Sequence, residues 1–303
     1  MSDLSRFDGV FTALITPFTP SGEIDWNAFD ALIDRQLAAG ITGLVPVGTT
    51  GEAATLSSAE AEAVIAHTVE RAKGKAYILA GTGSNSTEKT VAATRRATDL
   101  GVDGVLLVTP YYNKPSQQGL INHFSAVADA TTADVVLYSV PGRAGVEIAP
   151  ATAGTLAQRH LNVVAIKEAG GDPARVTDLR TAAPGLAVHC GDDGLALAFY
   201  ALGACGLTSV FSNYDPEICV ALYNAWNAGD RTRALDIHEA LRDIADAMFI
   251  ENSPAPVKYI MSSRGLNGTA VRMPLAEVSE PARNMLDQHM VEFKTRREGL
   301  AFA

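Results

Sequence analysis

The run Val163-Val-Ala-Ile-Lys167 ends four apolar residues on an ammonium. In a buried strand that charge would stand in low-dielectric surroundings. Desolvation disfavours the charged amine and draws a lysine down from its usual value near 10.4, which makes it a nucleophile at neutral pH. The alternative is a lysine that snorkels to solvent or pairs with the adjacent Glu168. Tyr138 ends a second apolar run and carries a hydroxyl able to move protons, unless it packs with that hydroxyl on a backbone group. Arg143, in the turn Pro141-Gly-Arg143, offers a two-pronged fork for a carboxylate; the alternative is an ordinary surface ion pair. The turn Gly48-Thr49-Thr50-Gly51-Glu52 collects two hydroxyls and several free backbone N–H groups, which suits a small carboxylate.

These groups need a frame that brings distant segments together. Eight short β-rich runs recur: Val10–Ile15, Gly43–Val47, Ala76–Ala80, Gly104–Val108, Asp134–Tyr138, Val163–Lys167, Leu186–Cys190 and Gly206–Val210. Each is followed by a stretch of helical periodicity, such as Asp25–Ala39 and Ser116–Ala130, so the repeat is βαβ. The runs are continuously apolar rather than alternating, as parallel strands covered on both faces must be. Eight units in series predict a closed (β/α)8 barrel, because an open sheet of that size leaves two edges to protect. Ser57 with Glu60 forms a capping box ahead of one helix, and Gly40 and Gly101 stand where helices need a left-handed end. After Gly229 the strand rhythm stops. Arg231–Glu251, Pro254–Arg264 and Glu280–Glu298 read as helices, which predicts a barrel domain over 1–230, holding the active site, and a helical domain over 231–303. In such a barrel the chemistry belongs to the C-terminal ends of the strands, where Thr49, Thr50, Tyr111, Tyr112, Tyr138, Arg143, Lys167 and Gly191 all fall.

The 303 residues are 47% apolar, enough for one large core, and carry a formal charge of −10. No basic stripe is present, which argues against a nucleic-acid partner. No window reaches the roughly 18 apolar residues of a membrane helix, and the N-terminus lacks a signal-peptide pattern, so a cytoplasmic protein with no membrane association is expected. Cys190, Cys205 and Cys219 are an odd set in apolar segments and read as small buried hydrophobes. The six histidines, His67, His123, His160, His189, His238 and His289, are dispersed, and no metal site emerges. Asp192 and Asp193 imitate a metal pair, but one carboxylate is expected to cap the following helix. Gly81-Thr82-Gly83 lacks the third glycine of a dinucleotide loop.

Taken together, Gly48-Thr-Thr-Gly-Glu52, Pro110-Tyr-Tyr-Asn-Lys-Pro115, Tyr138-Ser-Val-Pro-Gly-Arg143 and Ile166-Lys-Glu-Ala169 closely resemble the dihydrodipicolinate synthase and N-acetylneuraminate lyase family of class I aldolases. The likeness runs from Gly9 to about Pro274 and includes the segment Glu251-Asn-Ser-Pro-Ala-Pro-Val-Lys258. It implies a lyase with a TIM barrel and C-terminal helices, usually a homotetramer of two tight dimers. No cofactor beyond the covalent imine of pyruvate with Lys167 is implied. Tyr138, Thr50 and Tyr112 resemble the proton relay, Tyr112 reaching into the neighbouring subunit's site. Thr49 and Thr50 would hold the pyruvate carboxylate and Arg143 that of L-aspartate 4-semialdehyde, with backbone groups near Gly191 and Thr208 completing the pocket. The product would be 4-hydroxy-tetrahydrodipicolinate, on the way to diaminopimelate and lysine.

Arg143 after Pro-Gly and the Thr49-Thr50 pair favour the synthase branch. Ser139, where that branch usually has Asn, resembles the hydroxy-oxoglutarate aldolases; Ala144 and Thr208 also depart, standing for the usual Thr and an aliphatic residue. A pyruvate-forming aldolase, dehydratase or deaminase acting on another 4-hydroxy-2-oxo acid is therefore the alternative. A non-catalytic ligand-binding barrel, with Lys167 structural, is the remote one. In lysine-inhibited members the effector binds near the positions of Ala53, Ser58, Ala61, Asn85, Lys89 and Tyr111. A glutamate there neutralises the effector's ammonium where this chain has Lys89, so weak or absent lysine feedback is expected.

Overall fold

The computed structural model describes residues 4–300. Strand and helix alternate as β1 (Gly9–Ala13), α1 (Trp26–Ala38), β2 (Gly43–Val45), α2 (Ser58–Ala72), β3 (Tyr77–Gly81), α3 (Thr87–Asp99), β4 (Gly104–Val108) and α4 (Gln117–Ala128). They continue as β5 (Asp134–Ser139), α5 (Pro141–Ala144), α6 (Pro150–Arg159), β6 (Val163–Glu168), α7 (Arg175–Ala182), β7 (Ala187–Cys190), α8 (Ala196–Ala201), β8 (Gly206–Ser209) and α9 (Pro216–Asn227). Three longer-range helices follow: α10 (Arg231–Ala247), α11 (Ala255–Ser262) and α12 (Glu280–Gly299). All eight strands are parallel, each bonded to the next, and β8 returns to β1 through pairs such as Phe11 with Thr208. The closed (β/α)8 barrel with trailing helices is the fold that the apolar runs predict.

Local chemistry sets the helix starts. The side chains of Asp25, Ser57, Ser86 and Ser116 each accept the backbone N–H three residues on, and Ser57 and Glu60 make the reciprocal box. Such a cap contributes about 1 kcal/mol, because it satisfies a donor that the helix itself cannot. Gly40 (φ 77°) and Gly101 (φ 90°) do end their helices in the left-handed region.

Strand ends differ from the sequence reading by one or two residues, for identifiable reasons. β2 stops at Val45 because Pro46 has no N–H to donate and Val47 turns to φ 58°. β1 stops at Ala13, and beyond it the Ile15 N–H goes to the Asn213 side chain. The Pro141-Gly-Arg143 turn is a single helical turn, α5, closed by Gly145. α10 ends four residues early, and the chain bends to bring Ser253 and Pro254 towards the barrel mouth.

Two apolar layers result. Outside the sheet, strand and helix side chains form one continuous cluster that also takes in Ile237, Leu241, Leu286 and Phe293 of α10 and α12. Inside, Phe11, Val45, Leu79, Leu106, Val136 and Ala165 fill the barrel, with Phe7 stacked on Phe11 below. Among the described residues no helix is long and apolar enough to cross a membrane.

Candidate active site

The strands β5, β6 and β7 place Tyr138, Lys167 and His189 side by side in register. Lys167 is 6% exposed, and its Nζ lies 4.5 Å from the centre of the Tyr138 ring. Neither alternative offered for this lysine is what forms: it stays inside the barrel, and Glu168 is engaged elsewhere. Successive side chains of a strand face opposite ways, so Glu168 points outward, where Arg175 Nε donates to it at 3.0 Å and the Gly170 N–H at 2.7 Å. Burial still pushes the Glu168 carboxyl up, with Arg175 opposing. Gly191 makes room for the lysine, since a Cβ there would stand 3.0 Å from Lys167 Cε and 2.7 Å from Ala169 Cβ.

A cavity of about 390 Å³ opens at this end of the barrel, lined by Thr49, Glu52, Tyr111, Tyr138, Arg143 and Ser253 among others. Lys167, Thr50, Gly191, Thr208 and Tyr112 are not in its lining; Lys167 meets it through the Tyr138 ring. Among the described residues, the Tyr138 hydroxyl has no hydrogen-bond partner and the Arg143 guanidinium no carboxylate, so one proton carrier and one cation are left free at the cavity. Tyr112 is 91% exposed on a left-handed backbone (φ 74°) and stands outside the lining of this cavity.

Thr208 is buried, and its hydroxyl is taken by His189, 3.1 Å from Nδ1. His189 Nε2 lies 2.6 Å from the Phe7 carbonyl, which can only accept, so Nε2 carries the proton and Nδ1 receives the Thr208 hydroxyl. The Thr208 hydroxyl thus gives His189 Nδ1 a buried donor that an aliphatic residue would not. Burial holds His189 down at about 4, and the Lys167 charge pushes the same way. Asp192 caps the following turn by accepting the Gly194 N–H at 3.1 Å. Asp193 is buried and binds the Ser209 hydroxyl and the Val210 and Phe211 N–H groups, tying the mouth of β7 to that of β8. Burial raises its pKa; those hydrogen bonds and Lys167 oppose.

Three contributors escape the sequence reading. Ser253 is buried, lines the cavity and has a hydroxyl without a partner among the described residues. Pro274 and Leu275 form part of the wall. Glu52 and Lys258 are joined in a buried ion pair of 2.5 Å across 206 residues of chain. Both were visible as motif members, but no periodicity connects positions so far apart. Among the described residues no group of His, Cys, Asp and Glu could hold a metal ion.

Residues 6–292 match the family model described as the dihydrodipicolinate synthetase family. The 4-hydroxy-tetrahydrodipicolinate synthase of Sorangium cellulosum is 46% identical over 292 residues, which is 96% of this chain and 97% of that protein. The solved structure of the 4-hydroxy-tetrahydrodipicolinate synthase from Methylacidiphilum fumariolicum SolV superposes with a TM-score of 0.95 at 40% identity, covering 97% of this chain and 98% of that one. Another solved structure, described as the first monomeric dihydrodipicolinate synthase variant, gives 0.92 at 36% identity over 96% of this chain and 98% of that one.

The lowered His189 pKa has a measurable consequence. The folded protein refuses a proton that the unfolded chain accepts below the ordinary 6.5, so this contribution is complete above that pH and is lost as pH falls from 6.5 towards about 4. The loss is on the order of 3 kcal/mol. His123, also held at about 4 by burial, acts in the same window. Replacing His189 by Leu together with Thr208 by Val is expected to flatten the decline in urea-unfolding free energy between pH 6.5 and 4 relative to wild type. An unchanged slope would show that His189 does not titrate with unfolding.

Proposed function

The chain belongs to the dihydrodipicolinate synthetase family, and on that premise we propose that it condenses pyruvate with L-aspartate 4-semialdehyde through an imine on Lys167. The observation that carries this is a lysine amine enclosed at the end of β6 against Tyr138, with no carboxylate in ion-pair contact among the described residues.

The neutral Lys167 amine attacks the pyruvate carbonyl, and loss of water leaves a protonated imine. The imine withdraws electrons, so a C3 proton departs and an enamine forms. The enamine carbon attacks the aldehyde, making the new C–C bond while the aldehyde oxygen takes up a proton. Tyr138 shuttles these protons, with Thr50 and the Tyr112 of a second copy completing the relay. The amino group of the condensed product then displaces Lys167 as the ring closes, which returns the free lysine. Thr49 and Thr50 hold the pyruvate carboxylate, Arg143 that of the aldehyde, and backbone groups near Gly191 and Thr208 close the pocket. No cofactor enters these steps, because the iminium is the electron sink.

Supporting the synthase over the hydroxy-oxo acid aldolase is the place of Ser139. It is fully buried, and its hydroxyl accepts the Ile148 N–H at 3.3 Å rather than facing the cavity. The residue type that suggested the alternative thus lies away from the substrate. A homotetramer of tight dimers fits the near-complete exposure of Tyr112 and a family in which a monomeric member is singled out as a variant. A cytoplasmic role in lysine and diaminopimelate biosynthesis follows from the substrates.

Borohydride reduction in the presence of pyruvate is expected to leave a stable adduct on the Lys167 peptide, and none in Lys167→Ala. An unmodified wild-type peptide would sink the imine. Arg143→Ala is expected to raise KM for aspartate semialdehyde roughly 10–100-fold while pyruvate KM stays within about twofold, since a charge-assisted pair contributes about 1.5–3 kcal/mol. If a 4-hydroxy-2-oxo acid gave a kcat/KM more than about tenfold that of aspartate semialdehyde, the aldolase reading would replace the synthase. The exposed Lys89 on α3 repels a cationic effector, so inhibition by lysine should be weak or absent; half-inhibition below millimolar lysine overturns this.

A further inference from the structure

Glu52 is the last residue of the turn that carries Thr49 and Thr50, and it holds a left-handed backbone (φ 56°) that a side chain adopts only when its surroundings require it. Its carboxylate is 3% exposed and fully employed. Oε1 receives the Lys258 ammonium at 2.5 Å, and Oε2 receives the Arg272 backbone N–H at 2.9 Å. Lys258 in turn donates to the Ala270 carbonyl at 2.9 Å and lies 4.3 Å from the centre of the Phe18 ring, so each face of the ammonium is occupied. The Arg272 guanidinium covers the same ring at 4.3 Å, donates to the Gly22 and Thr55 carbonyls and pairs with Glu60 at the start of α2. The chain that leaves Arg272 then supplies Pro274 and Leu275 to the cavity.

The turn is otherwise closed by backbone bonds of its own and by one hydroxyl from the loop after β1. The Glu52 N–H reaches the Thr49 carbonyl at 3.1 Å and the Ala53 N–H the Gly48 carbonyl at 3.3 Å, while the Thr16 hydroxyl holds the Gly51 carbonyl at 2.7 Å. Among the described residues, only the Glu52 side chain ties this turn to the C-terminal helices through a charge pair. Since both carboxylate oxygens already have partners, Glu52 is not free to exchange protons with a bound molecule, although it lines the cavity.

We propose that Glu52, through its buried pair with Lys258, is a positioning residue that fixes the Thr49-Thr50 turn in its pyruvate-binding shape. This rests on the imine reading, in which that turn holds the pyruvate carboxylate. Loosening the turn weakens the hold on the carboxylate in the bound state and the transition state alike, which raises KM, and displacing Thr50 from the relay lowers kcat as well. A role confined to stability would lower the melting temperature and leave KM where it was.

The test is steady-state kinetics on wild type, Glu52→Gln and the double variant Glu52→Gln/Lys258→Met, with melting temperatures and borohydride trapping by pyruvate. The double variant leaves no uncompensated buried charge, which keeps the test readable if the single variant fails to fold. Both variants are expected to raise pyruvate KM roughly tenfold or more, with a loss of kcat through Thr50 beside it, and to be trapped at Lys167 when pyruvate is saturating. A folded double variant with wild-type pyruvate KM overturns the positioning role, as does a collapse of kcat with KM unmoved. Failure of wild type itself to trap pyruvate would instead remove the imine reading, so the two failures are told apart.

Discussion

Hydrogen bonding of β8 to β1 shuts the sheet on itself, and every group at the mouth takes its position from that closure. Thr49 comes from the end of β2, Tyr138 from β5, Lys167 from β6 and Gly191 from β7. No two neighbours in this set are close in sequence. A shift of one residue between β5 and β6 would turn Lys167 out to the helix layer and Glu168 into the barrel. The register that opposes Tyr138 to Lys167 is therefore also what decides which sign of charge the interior holds.

The enclosed charges are handled in two ways. Glu168, Asp193, Glu52 and Lys258 each have their polar atoms engaged by ion pairs or backbone N–H and carbonyl groups, as buried ions must. Lys167 has an aromatic face instead of a carboxylate. The ring encloses the amine without taking it into an ion pair, so the nitrogen is not held by a fixed charged partner. Lys258 and Lys167, both buried in one molecule, thus differ in that the first is locked into an ion pair and the second is not.

The barrel was legible because parallel strands covered on both faces must be apolar throughout, and eight such runs leave few other topologies. Strand ends were less so: β2 is cut short by Pro46 and β1 passes its bond to the Asn213 side chain, neither of which periodicity records. Of the site, Lys167 and Tyr138 were found by the rule that strand ends carry chemistry, and each escaped its plainer alternative for a reason seen only in three dimensions. Thr208 looked like a departure until His189 was found holding its hydroxyl. Ser253, Pro274 and Leu275 were missed because a wall made of an irregular segment has no repeating pattern.

The bond between Glu52 and Lys258 also bears on the order in which the molecule becomes complete. A chain emerging from the ribosome makes the Gly48–Glu52 turn early and Lys258 and Arg272 late. Until then the Glu52 carboxylate has neither its cation nor its backbone donor, and burying it alone would cost several kcal/mol. The nascent barrel accordingly keeps that turn open to water, and its mouth takes final shape only when the C-terminal helices dock. A pairing of such long range is slow to form. Synthesis thus delivers the strands before the residues that complete the mouth.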